Sequence, residues 1–257
     1  MLTYAEHPFE LDRGDATLCG AVHDRTPTMV LLHAGRENRH VWDPVIADVQ
    51  RRFPLRCLTL DQRGHGESSG DRNRFRPIVD DLRDLLGRIP GPTMLVGCSL
   101  GGLAAVGAVE DAAVARSVMG IVLVDVVPDL QPDPVWSFLD QAGLLPEAEQ
   151  IAVEILGVAG SLHRVMERFG GHMALVRAER SAMTPADVER FQRTRPDAAV
   201  IDIAGAGHLV ARDQPSELAT VLTDTAADWL ASAPIAQVPR NDAMRVAQPD
   251  GSSIQGA

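Results

Sequence analysis

The sequence predicts an α/β fold: a mostly parallel central sheet of about eight strands, with helices on both faces and a small helical cap inserted after the sixth strand. Two observations lead to this prediction. Short apolar runs alternate with longer segments of helical periodicity, which is typical of parallel strands joined by crossover helices. Several runs are rich in Val, Ile and Leu without polar alternation, as expected of strands buried on both faces. The 257 residues, 45% of them hydrophobic, suffice for one large domain with an insertion.

The predicted strands open with a hairpin, because the turn residues Gly14 and Asp15 separate the first two apolar segments. The later strands are separated by helical segments, as parallel pairing requires. In chain order, the predicted strands are Phe9–Leu11, Leu18–His23, Thr28–His33, Leu55–Asp61, Thr93–Cys98, Ile121–Val126, Met173–Arg177 and Ala199–Ile203.

Helical periodicity fills most of the intervals between these strands. Pro185 and Pro215 stand at the start of two helical segments, where the first turn tolerates proline. The predicted helices are Trp42–Arg52, Ile78–Gly87, Leu100–Glu110, Pro185–Arg193 and Pro215–Leu230.

One interval, between Pro128 and Gly171, lacks any strand signal and is led by a cluster of prolines. Its apolar residues recur at helical spacing, which predicts short amphipathic helices. These helices are Val135–Gln141, Glu147–Leu156 and Leu162–Phe169.

The predicted domain organisation follows from this interruption. Residues 1–127 and 172–231 are predicted to form the α/β core, and residues 128–171 the helical cap. Residues 232–257 carry few large apolar side chains and no helical period, so we predict a disordered tail there.

Composition excludes several kinds of chemistry. All 24 basic residues are arginine, which rules out a lysine Schiff base, lysine-bound pyridoxal phosphate, a Walker-type phosphate loop and a Ser–Lys dyad. The net charge of −11 argues against nucleic acid or an anionic membrane surface as a partner. No stretch approaches the roughly 20 apolar residues of a membrane span.

The cysteines indicate a reducing compartment. Cys19, Cys57 and Cys98 are odd in number, far apart and without zinc-site spacing. The first residues have neither a basic leader nor an apolar run. We therefore expect a cytoplasmic protein without a metal site. No sequence feature predicts its oligomeric state.

The sharpest motif is Val-Gly-Cys-Ser-Leu-Gly-Gly, residues 96–102, at the end of a predicted buried strand and the start of a helix. The pattern Gly-x-Ser-x-Gly in this context predicts a nucleophile elbow, in which small flanking residues allow a strained turn that exposes the Ser99 hydroxyl. The helix N-terminus favours developing negative charge there.

Cys98 competes with Ser99 for this role, because a thiol is intrinsically the better nucleophile. With Cys98 at the apex, however, the flanking positions would be Val96 and Leu100, which are too bulky for the turn. The sequence therefore favours Ser99.

Together with the elbow, three further segments resemble the α/β-hydrolase family. They are Val-Leu-Leu-His-Ala-Gly at 30–35, Asp-Gln-Arg-Gly-His-Gly-Glu-Ser at 61–68, and Gly-Ala-Gly-His at 205–208. Their order and spacing resemble that family from about Met29 to Leu230. These motifs are specific for the fold and only weakly specific for the substrate.

The resemblance implies roles for two histidine motifs. His208 follows the last predicted strand, where this family keeps the general base that takes the serine proton and returns it to the leaving group. His33 and His65 resemble structural histidines of the family and are not assigned to proton transfer.

The resemblance also implies an oxyanion hole. One donor is the N–H of Leu100, the residue after the nucleophile. The second is expected in the loop after Leu32, where Gly35 is the match and Arg36 the alternative.

The acid of the expected triad is where the sequence departs from the family. The family most often places an aspartate after the seventh strand, in a Ser-Asp dipeptide, but here Ala182 follows Ser181. Asp125 resembles the alternative acid site after the sixth strand and keeps the order Ser, acid, His. Glu179, or a dyad without an acid, remains an alternative.

These residues predict a cofactor-free hydrolase that cleaves a small ester, thioester or lactone through an acyl-Ser99 intermediate. Serine in the elbow argues against dehalogenase and epoxide-hydrolase chemistry, which in this family needs an aspartate there. A lyase or cyclase with His208 as base, and a non-catalytic ligand-binding protein, are the alternatives. Trp136, Phe138 and Met166 in the cap are predicted to line the substrate pocket.

Overall fold

The computed structural model describes residues 6–23, 29–53 and 55–232. Residues 233–257 of the predicted tail and Thr28 of the third predicted strand lie outside these ranges, whereas Ser232, the first residue of the predicted tail, is helical. The strands are β1 (Glu6–Asp12), β2 (Thr17–His23), β3 (Met29–Leu32), β4 (Cys57–Leu60), β5 (Thr93–Cys98), β6 (Val118–Val124), β7 (His172–Arg180) and β8 (Ala199–Gly207).

These strands form one eight-stranded sheet in the order β1-β2-β4-β3-β5-β6-β7-β8. The hairpin strand β2 pairs antiparallel with both β1 and β4, and every other neighbouring pair is parallel. The predicted α/β fold with a mostly parallel sheet is therefore confirmed. Because the carboxyl ends of β3, β5, β6, β7 and β8 lie along one edge, the loops that follow them meet there.

The helices surround this sheet. They are α1 (Asp43–Arg52), α2 (Phe75–Gly87), α3 (Leu100–Ala108), α4 (Ala112–Ser117), α5 (Pro132–Gln141), α6 (Glu149–Arg168), α7 (Pro185–Thr194), α8 (Val210–Asp213) and α9 (Pro215–Ser232). The sequence did not predict α4 and α8, which are too short to show a helical period. Thr184 and Asp187 form a capping box at the start of α7, with Pro185 in its first turn.

Two buried clusters lie on opposite faces of the sheet and explain its apolar strands. Along β5, Leu95 belongs to the cluster covered by α2, α3 and α6, whereas Met94 and Val96 belong to the cluster covered by α1 and α9. Successive side chains of a strand point to opposite faces, so a strand covered on both sides must be apolar throughout.

The segment between β6 and β7 contains two helices, where the sequence predicted three. The predicted short helices Glu147–Leu156 and Leu162–Phe169 belong to the single 20-residue helix α6, which continues through Gly157 and Gly160. Its buried side chains recur every three or four residues along one face, which stabilises the helix across both glycines. This buried row contains Ile155, Ala159, Leu162 and Met166.

Within the described ranges, no helix is both long and apolar enough to cross a membrane.

Candidate active site

Ser99 lies on the turn between β5 and α3, with φ +47° and ψ −114°. The close packing of this turn requires glycine on both sides of the serine. A Cβ on Gly97 would lie 2.5 Å from the Gly101 carbonyl oxygen, and one on Gly101 would lie 2.5 Å from the Leu32 carbonyl oxygen. The Ser99 N–H donates to Val124 O at 3.2 Å, which anchors the turn to the neighbouring strand β6. The serine side chain is thereby held at the carboxyl edge of the sheet.

Cys98 lies at the end of β5 and is buried. Burial raises the pKa of its thiol well above the usual value, with a further contribution from the negative charge of Glu37. A thiol that stays protonated is a poor nucleophile. Ser99, in contrast, is partly exposed and lines a cavity.

His208 follows β8 directly and contacts Asp125, the residue that follows β6. His208 Nδ1 lies 2.8 Å from Asp125 Oδ2. The second carboxylate oxygen accepts the Ala178 N–H at 3.0 Å, and the Asp125 N–H donates to Val176 O at 2.8 Å. With one oxygen on the imidazole and the other on the backbone of β7, the carboxylate is fixed in orientation. Nε2 is the ring nitrogen that remains for proton transfer.

The Asp125 side chain is fully buried, whereas that of His208 is 19% exposed. Asp125 adopts a left-handed backbone conformation with φ +53°. An aspartate tolerates this region better than most residues, at a cost on the order of 1 kcal/mol. The turn after β6 is thus shaped to direct a buried carboxylate at the imidazole of His208.

Glu179 lies elsewhere. Its exposed carboxylate accepts the Gly205 N–H at 2.6 Å and so supports the end of β8 that leads to His208. Gly205 has φ +74°, a conformation that favours glycine. Ala182, at the position of the missing aspartate, contributes a methyl group to the cavity wall. Of the carboxylates considered from the sequence, Asp125 is the one placed on the histidine ring.

The loop after β3 carries Gly35 next to the start of α3. A Cβ on Gly35 would lie 3.8 Å from Leu100 Cδ2, so the two predicted oxyanion donors come from adjoining backbone segments. The first N–H groups of a helix lack intrahelical partners, which leaves the Leu100 N–H free to bind an anion.

His33 orients the peptide that carries the Gly35 N–H. Its Nδ1 donates to Ala34 O at 2.7 Å, and its Nε2 accepts the Gln62 N–H at 3.0 Å. The Ala34 carbonyl and the Gly35 N–H belong to one planar peptide, so fixing the first fixes the second. Burial lowers the pKa of His33 to about 4, which keeps the ring neutral and preserves this donor and acceptor pattern.

A cavity of about 690 Å³ lies over these groups and is lined by Ser99, His208, Gly35 and Leu100 together with residues of α5 and α6. Most of its wall is apolar, as in pockets that accept the hydrocarbon part of a ligand. The apolar lining includes Leu130, Val135, Leu139, Leu144, Ile151 and Ile155.

Of the three predicted pocket residues, Phe138 lines the cavity, and its ring meets the His208 ring edge-on at 4.6 Å between centroids. The other two predictions need correction. Met166 is 1% exposed and lies in the core, because it belongs to the buried row of α6. Trp136 is partly exposed and is not among the described lining residues. It follows Val135, a lining residue, and successive helical residues point about 100° apart.

Sequence reasoning missed Glu37, a cavity-lining acid whose side chain is 6% exposed and pairs with Arg212 at 3.2 Å. Burial raises the pKa of Glu37 although Arg212 opposes the shift. Its position three residues after the Ala34 carbonyl offered no signal of burial. Among the described residues, no group of three or more His, Cys, Asp or Glu side chains could hold a metal ion.

The sheet is mostly parallel, its elbow serine lines the same cavity as a histidine, and that histidine contacts a buried aspartate. These features define a class of α/β proteins that place their functional site at the carboxyl edge of the sheet. The model of the alpha/beta hydrolase family matches residues 29–221. The chain belongs to this family.

Curated relatives are esterases. Esterase Rv0045c of Mycobacterium tuberculosis is 36% identical over 110 residues, which are 40% of this chain and 34% of the esterase. The chain thus matches about a third of that relative's length. Pimeloyl-(acyl-carrier protein) methyl ester esterase of Pseudoalteromonas atlantica is 27% identical over 205 residues, covering 75% of this chain and 71% of that protein.

Solved structures share the fold. E-2-(acetamidomethylene)succinate hydrolase superposes with a TM-score of 0.67 at 22% identity, over 86% of this chain and 98% of that chain.

Proposed function

We propose that this protein is a serine hydrolase that cleaves a carboxylic ester of a small molecule through an acyl-Ser99 intermediate. The single observation that carries the proposal is the contact of His208 Nδ1 with the buried Asp125 carboxylate at 2.8 Å, in a cavity that Ser99 also lines. The esterase relatives support the same class of substrate.

In the proposed reaction, Ser99 Oγ attacks the ester carbonyl while His208 Nε2 takes its proton. Asp125 stabilises the imidazolium formed, and the N–H groups of Leu100 and Gly35 hold the oxyanion. Collapse of the tetrahedral intermediate expels the alcohol, which receives the proton from His208. Water then cleaves the acyl-enzyme by the same steps and releases the acid. One oxyanion donor typically lowers the barrier of this reaction by on the order of 3 kcal/mol.

The apolar wall favours an uncharged acyl chain or alcohol next to the reacting carbonyl. Thioesters and lactones fit the same chemistry, because both present an acyl carbon to Ser99. The free cysteines and the net charge of −11 support a cytoplasmic protein with a small-molecule substrate rather than nucleic acid or a membrane surface.

Mass spectrometry of the acyl-enzyme tests the proposal. Quenched p-nitrophenyl acetate reactions should add one acetyl group to the wild type and to Cys98→Ala, but none to Ser99→Ala. Acetylation of Ser99→Ala at the wild-type rate would contradict the nucleophile assignment. Loss of acetylation in folded Cys98→Ala would indicate that the thiol reacts instead.

The lyase or cyclase alternative was motivated by the missing acid after the seventh strand, and the Asp125–His208 contact instead supports hydrolysis. Hydrolysis in oxygen-18 water should place the label in the acid product, whereas elimination would leave the product unlabelled.

A further inference from the structure

Two arginines share a single carboxylate at the wall of the cavity. Arg36 Nη1 lies 3.3 Å from Glu147 Oε2, and Arg72 Nη2 lies 3.8 Å from the same oxygen. All three residues line the cavity, and their side chains are between 44% and 57% exposed. Two guanidinium groups against one carboxylate leave a net positive charge at what we call the arginine pair, Arg36 and Arg72.

The other charged side chains of the lining are balanced or leave an acidic surplus. Arg212 Nη2 lies 3.2 Å from Glu37 Oε1, a one-to-one pair. Arg190 serves two carboxylates, Asp129 at 2.8 Å and Asp187. Within the lining that the structure describes, the positive surplus is therefore confined to the arginine pair. An anionic ligand group would be attracted to that part of the wall.

The backbones of both arginines are held in place. Arg36 follows Gly35 of the predicted oxyanion loop and has φ +67°, a conformation in which glycine would be less strained. Arg72 packs against the turn at Gly64, where a Cβ would lie 2.7 Å from the Arg72 backbone nitrogen. The fixed backbone keeps both side chains rooted at the cavity wall, with Arg36 next to the oxyanion loop.

Glu147 holds the arginine pair only loosely. Its distances of 3.3 and 3.8 Å exceed the 2.7–2.9 Å that is typical of strong charge-assisted hydrogen bonds. Half-exposed ion pairs of this kind contribute little free energy. A ligand carboxylate or phosphate that meets the guanidinium forks at closer range can therefore replace it.

We propose that the arginine pair binds an anionic group, a carboxylate or a phosphate, carried by the ester substrate away from the scissile bond. Glu147 occupies this subsite when no substrate is bound and moves out when the anion enters. The apolar wall then contacts the hydrocarbon between the anion and the ester. This inference rests on the proposed esterase function and names its substrate class.

Steady-state kinetics with matched esters test the inference. The probes are monomethyl adipate, which carries a carboxylate, methyl 6-(phosphonooxy)hexanoate, which carries a phosphate, and uncharged methyl hexanoate. The readout is the ratio of kcat/KM for each anionic ester to that for methyl hexanoate. In Arg72→Gln we expect this ratio to fall about five-fold, and in Arg36→Gln/Arg72→Gln at least about ten-fold, mainly through KM. The ester with the larger fall identifies which anion the subsite prefers.

Two further variants sharpen the test. Glu147→Gln should raise the ratio, because the internal competitor loses its charge. Arg76→Gln is the matched control, since Arg76 is exposed on α2, where it pairs with Asp80 at 3.0 Å. The ratio in this control should equal that of the wild type.

An unchanged ratio in the double variant, or an equal fall in Arg76→Gln, would overturn the anion subsite. Hydrolysis of methyl hexanoate that depends on Ser99 would still support the esterase function, so the two failures are distinguishable.

Discussion

Replacing Asp125 with asparagine tests whether Asp125 is the acid that orients and stabilises the His208 imidazole. The substitution is nearly isosteric and removes only the charge and one acceptor. If the amide oxygen of Asn faces the Ala178 N–H, its NH₂ faces His208 Nδ1 and imposes the tautomer with a proton on Nε2. If the amide is flipped, two N–H donors oppose each other at Ala178. Neither orientation restores the native pattern.

The expected loss follows from this geometry. In a serine-protease triad, the equivalent change lowers kcat about 10⁴-fold, which corresponds to about 5 kcal/mol of transition-state stabilisation. We expect Asp125→Asn to lose a similar factor, because His208 would be in the wrong tautomer to accept the serine proton and its cationic form would lose its counter-ion.

The assay is kcat for p-nitrophenyl butyrate, with thermal melting to show that the variant remains folded. Glu179→Gln is the matched control, because a glutamine oxygen can still accept the Gly205 N–H. It should lose about three-fold at most. A loss below ten-fold in Asp125→Asn, or an equal loss in Glu179→Gln, would refute the assignment of the acid.

Two predictions concern stability. Gly97→Ala should lower the free energy of unfolding by about 3 kcal/mol in urea titrations, because its Cβ would lie 2.5 Å from Gly101 O. Gly157 lies on α6 with open space around it, so Gly157→Ala should instead raise the free energy of unfolding by about 0.5–1 kcal/mol. If Gly97→Ala and Gly157→Ala changed that free energy by similar amounts, the close packing inferred at Gly97 would be contradicted. His33 has a pKa of about 4 in the folded protein against 6.5 when unfolded, so the unfolded chain binds more protons between these values. Neutral His33 therefore adds about 3 kcal/mol to the free energy of unfolding above pH 6.5, and this stabilisation is lost as pH falls to 4. His33→Asn should remove that part of the pH dependence. If the free energy of unfolding has the same slope against pH in the wild type and in His33→Asn, this assignment is refuted.

The sequence predicted the sheet and the elbow because their signals are local. Residues 93–102 contain a buried strand, a glycine-bounded turn and a helix start within one short segment. Periodicity and turn chemistry suffice to predict such a unit.

The acid could not be decided in the same way. Asp125 follows β6 and Glu179 is the penultimate residue of β7, and the carboxyl ends of these two strands lie at the same edge, since β6 and β7 are neighbours with Val124 opposite Val176. The choice depends on side-chain direction after each strand, which the left-handed turn at Asp125 determines. No one-dimensional pattern predicts that turn.

The cavity wall was predicted least well, for two physical reasons. Whether Val135 or Trp136 faces the cavity depends on the rotation of α5 about its axis, which its mixed composition leaves undetermined. The contacts of Glu147 with Arg36 and Arg72 join residues far apart in the sequence, and exposed charges give no signal of their partners.

The structure of α6 also bears on how a ligand enters the cavity. Ile151 and Ile155 line the cavity, whereas Leu162 packs beside Gly107 of α3. Glu154 of the same helix accepts the Phe75 N–H at 2.8 Å. One continuous helix therefore serves as both cavity wall and core element, and swinging it outward would expose the core. We expect the entrance to open by movement of α5 and the turn that joins it to α6, while α6 itself stays in place.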